Sequence, residues 1–199
     1  MKTVVTSCSD GYYAFKVLYD KIGMKPKGIE ILHTAEFLDR LIKEGRLEFT
    51  KKVPITVTYH DPCHLGRKGE PYIHWHGVEK KVLGQLIVHS PIKEFRRGTL
   101  GVYEPPREVL KSIPGVELIE MPRAKEYAWC CGAGGGVKEA YPDFATWTAN
   151  ERIREAKSTG VEAMVTACSW CERNFIDAVK ERGDRFKVYD IIELVQQAI

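Results

Sequence analysis

Long hydrophobic runs and net charge are both scarce in this chain. Within its 199 residues no apolar stretch approaches the roughly 20 residues that a membrane span requires. The start of the sequence, Met1-Lys2-Thr3-Val4-Val5, passes directly into a β-branched run with no secretion-signal pattern. Thirty basic and 27 acidic residues leave a net charge of only +3 and are interspersed without a long run of either sign, which argues against a nucleic-acid surface. Cysteine is sparse as well. Six residues in a chain without a secretion signal read as reduced thiols or metal ligands rather than a disulfide framework, and the expected location is the cytoplasm. No Gly-Lys-Ser/Thr follows the one glycine cluster, which excludes a P-loop. With 44% hydrophobic and 29% charged residues, what remains is an ordinary globular composition, long enough for one α/β domain or a domain and part of another.

Short β-branched runs alternate with helix-period segments, which predicts an α/β, Rossmann-like parallel sheet flanked by helices. Strands are expected at 3–6, 29–32, 53–59, 116–121, 163–167 and 186–189. Helices are expected from Tyr12 to Ile22 with Gly23 as its stop, from a Thr34 cap to the stop at Gly45, from Pro105 to Ile113, from Pro142 to Ser158, up to the stop at Gly183, and beyond an Asp190/Glu193 capping box. The segment 67–98, rich in His, Lys, Gly and Pro, is illegible apart from an apolar run, Val82 to Val88, that fits helix or strand. The two ends are alike. Val5-Thr6-Ser7-Cys8-Ser9 resembles Val165-Thr166-Ala167-Cys168-Ser169, and each is followed by a helix, a strand and a second helix with Glu36 or Glu193 in its first turn. Residues 1–50 therefore read as the remnant of an upstream repeat packed on a main domain, 51–199. Cys8 has Gly11 where the partner of Cys171 would stand, and it is expected to lie outside the ligand set.

The chemistry centres on Trp129-Cys130-Cys131-Gly132-Ala133-Gly134-Gly135-Gly136. Adjacent cysteines rarely pair with each other, since the ring they would close strains the peptide. Cys63, Cys130, Cys131, Cys168 and Cys171 all fall just after predicted strands, in loops that a parallel sheet gathers on one side. Alone, Cys63 would be a small buried hydrophobe, and a lone Cys-x-x-Cys would be a redox pair or half a zinc site. Together they point to a metal centre. A tetrahedral zinc takes four ligands, so a fifth thiolate favours an iron–sulfur cluster. Glycine amides at Gly132 and Gly134, with Arg67, Arg123 and Lys138, are expected to offset its negative charge. Trp129 and Trp170 would keep water away, and His64 would donate a proton or a hydrogen bond, or simply cap its loop.

The pattern Cys63, 66 intervening residues, Cys130-Cys131, 36 intervening residues, Cys168-x-x-Cys171 resembles the cysteine-rich CCG domain of the B-type and D-type polypeptides of heterodisulfide reductase. His60-Asp61-Pro62-Cys63-His64-Leu65-Gly66, Tyr103-Glu104-Pro105-Pro106-Arg107 and Ala167-Cys168-Ser169-Trp170-Cys171 are similar to that family's motifs, and the likeness covers nearly the whole chain. It implies a non-cubane [4Fe-4S] cluster held by the five matched cysteines, in an anaerobic multi-subunit oxidoreductase. The work implied is electron transfer or reductive cleavage of a disulfide between two thiols. Implied partners are other iron–sulfur, flavin or membrane quinone-linked subunits and a thiol or disulfide substrate, with no direct membrane span and any membrane association through those subunits. The alternatives are a pure electron relay and a zinc-stabilised interaction module. Two departures stand out. The interval from Cys63 to Cys130 exceeds the family's usual one by the length of segment 67–98, whose His74-Trp75-His76 and His89 would be extra ligands, a docking surface or a solvated loop. Many members also carry two complete motifs, whereas this chain has one and a remnant.

Overall fold

The computed structural model describes residues 2–199. Strand β1 (Lys2–Thr6) is followed by α1 (Ser9–Tyr13), a π-helical stretch at Ala14–Leu18 and α2 (Tyr19–Lys21). Then come β2 (Ile29–His33), α3 (Thr34–Lys43) and β3 (Ile55–His60). A hairpin, β4 (Val78–Val82) and β5 (Leu86–Ser90), precedes α4 (Glu104–Ser112) and β6 (Val116–Leu118). After short turns, α5 (Val137–Ala140) and α6 (Pro142–Ser158) lead into β7 (Ala163–Thr166), α7 (Ser169–Glu181), β8 (Lys187–Asp190) and α8 (Ile191–Ala198). The expected α/β class, with parallel strands between helices, is the observed one.

The main sheet has the order β6-β3-β7-β8, and every pairing is parallel. From β3 the chain moves outward to β6 and then crosses back to β7, so the order reverses between β3 and β7. In open parallel sheets such a reversal leaves a crevice at the carboxyl ends of the strands. All four residues of β7 are buried, as a strand covered on both faces requires. Its side chains alternate. Ala163 and Val165 join Val57, Tyr59, Leu110 and Leu194 in one apolar cluster, while Met164 joins Ile153, Phe175, Ala178 and the cysteines Cys131, Cys168 and Cys171 in the other. The thiols therefore sit at the rim of a packed core beneath α6 and α7.

The N-terminal unit is a separate parallel pair, β1 with β2, that repeats β7 with β8. Thr6 faces His33 as Thr166 faces Asp190, which sets Cys8 and Cys168 at the same offset beyond their strands. His33 and Asp190 then cap equivalent helices with the same device. The His33 ring accepts from the Ala35 amide and Glu36 accepts from the His33 amide, while Asp190 accepts from Ile192 and Glu193 from Asp190. The cap of α3 is thus His33 and not Thr34, whose hydroxyl donates to the Thr6 carbonyl.

The run Val82 to Val88 is neither one helix nor one strand. Leu83-Gly84-Gln85 turns in its middle, with Leu83 at φ 53° and Gly84 at φ 76°, and each half pairs back on the other. The hairpin projects apolar side chains into solvent, among them Leu83 at 94% exposure, and Ile92 and Phe95 beyond it are as bare at 91% and 83%.

Candidate metal centre

The loop after β3 is held by buried ionic pairing. Asp61 accepts from Arg107 through both carboxylate oxygens, at 2.7 and 3.0 Å, and from the Lys125 amide at 2.7 Å. Arg107, on α4, also binds Glu120, so a buried fork fastens the Asp61-Pro62-Cys63 turn to the helix behind it. Gly66 follows because the Tyr103 ring packs where a Cβ would stand, 2.7 Å away. The double-cysteine loop is fastened by Asn174 of α7. This wholly buried amide donates to the Cys131 and Ala145 carbonyls at 2.7 and 3.0 Å and accepts from the Lys138 ammonium at 2.8 Å. The third loop enters α7 directly, with Cys168 as its N-cap and Cys171 inside its first turn.

The three loops bring all five expected cysteines together, and Cys8 joins them. Thiol hydrogen bonds run from Cys8 to Cys168, on to Cys171, Cys131, Cys130 and finally Cys63. The Cys8 sulfur therefore stands beside Cys168 at the end of the row although it lacks a Cys-x-x-Cys mate. Two thiols of the row, Cys130 and Cys168, are favoured in the charged form by the donors on either side of them. Donation from Cys131 and Cys63 and from the Gly132 amide, 3.3 Å from its sulfur, holds Cys130 down to about 2. Donation from Cys171 and Cys8 likewise lowers Cys168. The donors rise in turn: Cys131, giving to Cys130, is pushed up to about 12, and Cys63, Cys171 and Cys8 are raised as well. A metal centre would take the place of these shared protons.

The glycines of this loop meet different surroundings. A Cβ on Gly132 would lie 2.8 Å from the Ala145 carbonyl and from Thr148, so the close approach there is to α6. Gly135 and Gly136 have open space around them and are required by their φ of 68° and 81°. Gly134 faces His64 across a narrow crevice that also touches Asp10, Cys63 and Trp170. The expected cations are turned elsewhere. Arg67 donates to the Glu126 carbonyl, Arg123 binds Glu155 and stacks 3.8 Å over Trp129, and Lys138 serves Asn174 and Asp177. Lys68 is the cation that favours the charged form of Cys63. Trp129 is 42% exposed beneath Arg123, and Trp170 packs against the apolar cluster that holds the thiols. His74 pairs with Asp20 and His89 with Glu79, and neither bonds a thiol.

Two histidines are fixed by partners that are distant in sequence. His64 Nδ1 bonds to Asp10 while Tyr13 stacks on its ring, so the N-terminal unit orients it. His60, wholly buried at the end of β3, places a ring nitrogen within 4.8 Å of the sulfurs of Cys131 and Cys171. Burial, with the Arg152 cation beside it, lowers its pKa to about 3. In sequence it is one histidine of a motif, and only its strand-end position next to Asp61-Pro62-Cys63 hinted at the site.

A doubly wound domain that gathers sulfur, with one buried imidazole, at the carboxyl ends of its strands belongs to the cysteine-rich metal-centre class, and this soft donor set suits an iron–sulfur group. Residues 94–176 match the family model of the CCG cysteine-rich domain. It is 37% identical to the D-type polypeptide of the dihydromethanophenazine:CoB–CoM heterodisulfide reductase of Methanosarcina acetivorans, over 98% of this chain and 40% of the relative. It is 31% identical to the probable iron-sulfur-binding oxidoreductase FadF of Bacillus subtilis and to the EtfAB:quinone oxidoreductase of Syntrophomonas wolfei, over all of this chain and 24% of each relative. The chain thus spans two fifths or less of the length of these relatives. Among the described residues no helix is long and apolar enough to cross a membrane.

Proposed function

We propose that this chain is the cluster-binding module of a heterodisulfide reductase-like, multi-subunit oxidoreductase. Cys63, Cys130, Cys131, Cys168 and Cys171 would hold a [4Fe-4S] cluster of the non-cubane type, which when bound supplies one-electron chemistry at sulfur. The observation that carries this reading is the unbroken row of thiols at the reversal point of the sheet, more sulfur than one zinc can use. The relatives' names add iron–sulfur and oxidoreductase to it. Cys131, Cys168 and Cys171 are each 3% exposed and Cys63 and Cys130 half-buried, and all of them but Cys130 line the narrow crevice. There His64, set by Asp10, would orient or protonate an incoming sulfur. Electrons would come from partner iron–sulfur, flavin or quinone-linked subunits. Residues 1–50 would be a partial copy of the same repeat, a reading supported by its matching register and caps.

A pure electron relay is the second reading, favoured by how little of three of the five sulfurs reaches solvent. Protein purified without oxygen should be brown and contain iron and acid-labile sulfide in comparable amounts. Serine at any of the five cysteines should alter its paramagnetic resonance spectrum. Colourless protein with one zinc and no sulfide would overturn the proposal. Thiols titrated into the oxidised protein should perturb the spectrum if substrate meets the cluster and leave it unchanged in a relay.

A further inference from the structure

His60 is buried beside the thiols and has a hydrogen-bond donor with nothing to bond. Its Nδ1 lies 3.2 Å from Arg152 Nε. A guanidinium nitrogen has hydrogens to give and no lone pair to offer, so this bond has one direction: Arg152 donates and Nδ1 accepts. A doubly protonated ring would set an N–H against that N–H, and the other neutral tautomer would do the same. The ring is therefore neutral, with its single hydrogen on Nε2. Among the described atoms, Nε2 is buried with no hydrogen-bond partner. The Phe175 ring crosses the imidazole at 82°, 4.8 Å between centroids, and offers at most the weak acceptor of an aromatic face. The acceptors nearby are sulfurs, since a His60 ring nitrogen and the sulfurs of Cys131 and Cys171 lie within 4.8 Å of one another.

We propose that His60 Nε2–H donates a hydrogen bond to sulfur of the metal centre, and that His60 is a positioning and tuning residue and not a metal ligand. To ligate through Nε2 it would have to lose the hydrogen that Arg152 fixes there. Arg152 is itself fixed. Its Nη1 donates to Glu155 at 2.5 Å, and Glu155 accepts from the Arg123 amide and guanidinium, both at 3.0 Å. The chain Arg123–Glu155–Arg152–His60 thus reaches from the loop before the double cysteine to the sulfurs. A donor aimed at sulfur favours the more negative, reduced state and raises the reduction potential.

The inference rests on the iron–sulfur reading, and its test separates the two. On protein purified without oxygen, electron–nuclear double resonance of the paramagnetic state should show a proton coupling that disappears in D2O and in His60→Phe. The couplings of 15N-labelled histidine should be too weak for a metal–nitrogen bond. His60→Phe should keep its iron and sulfide and shift the one-electron equilibrium about tenfold toward the oxidised state, about 59 mV lower. His60→Gln, which keeps an N–H donor, should recover part of that shift. The proton measurement on the unsubstituted protein stands even if a variant fails to fold. A nitrogen coupling of direct-bond strength, or iron lost from His60→Phe together with such a coupling, would make His60 a ligand and overturn the inference. A cluster with full iron but no such exchangeable proton would overturn it as well. Unsubstituted protein without iron and sulfide would overturn the reading beneath it.

Discussion

Gly132 and Gly135 both take positive φ, 89° and 68°, but a side chain would meet different surroundings at each. At Gly135 the added methyl would find open space, so Gly135→Ala should cost only the left-handed backbone penalty, on the order of 1 to 2 kcal/mol. At Gly132 the methyl would also press on the Ala145 carbonyl and Thr148. Gly132→Ala should therefore be clearly the more destabilising in chemical denaturation, and it should shift the double-cysteine loop enough to lower bound iron. The five clustered cysteines were legible because thiols after strands converge in any parallel sheet. His60 was not, since its role depends on Arg152, 92 residues away, fixing one tautomer. The place of Cys8 was not legible for a similar reason: its neighbour across space is Cys168, which no local spacing reveals.

Helices and strands of the main domain were legible to within a few residues because periodicity and burial coincide there: α6 runs from Pro142 to Ser158 as its proline start and following Gly160 imply. The hairpin was not, because its apolar run faces solvent and gives none of the alternation that marks a half-buried strand. The α3 cap shows what an unusual residue contributes. His33, 1% exposed, does what Asp190 does in the matching position, and burial lowers its pKa to about 4. Since the folded chain resists protonating this ring and the unfolded chain does not, stability should be lost as pH falls from about 6.5 toward 4, by up to about 3 kcal/mol. His33→Asn keeps a capping acceptor without a titrating ring and should flatten that part of the unfolding free energy against pH.

The whole molecule divides into a near-neutral body and a basic, apolar insertion. Segment 67–98 holds seven basic and three acidic residues, against a net charge of +3 for the entire chain. Its bare side chains contribute little to the fold. Leu83→Lys and Phe95→Lys should leave the unfolding free energy within about 0.5 kcal/mol, whereas a core change such as Leu110→Ala, at a fully buried position, should cost about 2 to 5 kcal/mol.

The row of sulfurs also concerns the polymer as a chain. The proposed ligands are separated by 66 residues between Cys63 and Cys130 and by 36 between Cys131 and Cys168. One object gripping all three loops would act as a cross-link closing two long rings of backbone. For a ring of that length the entropy withdrawn from the unfolded ensemble is worth roughly 4 kcal/mol. A bound centre would thus tie the two halves of the sheet together from its rim, and its loss would loosen β3 and β7 where they meet.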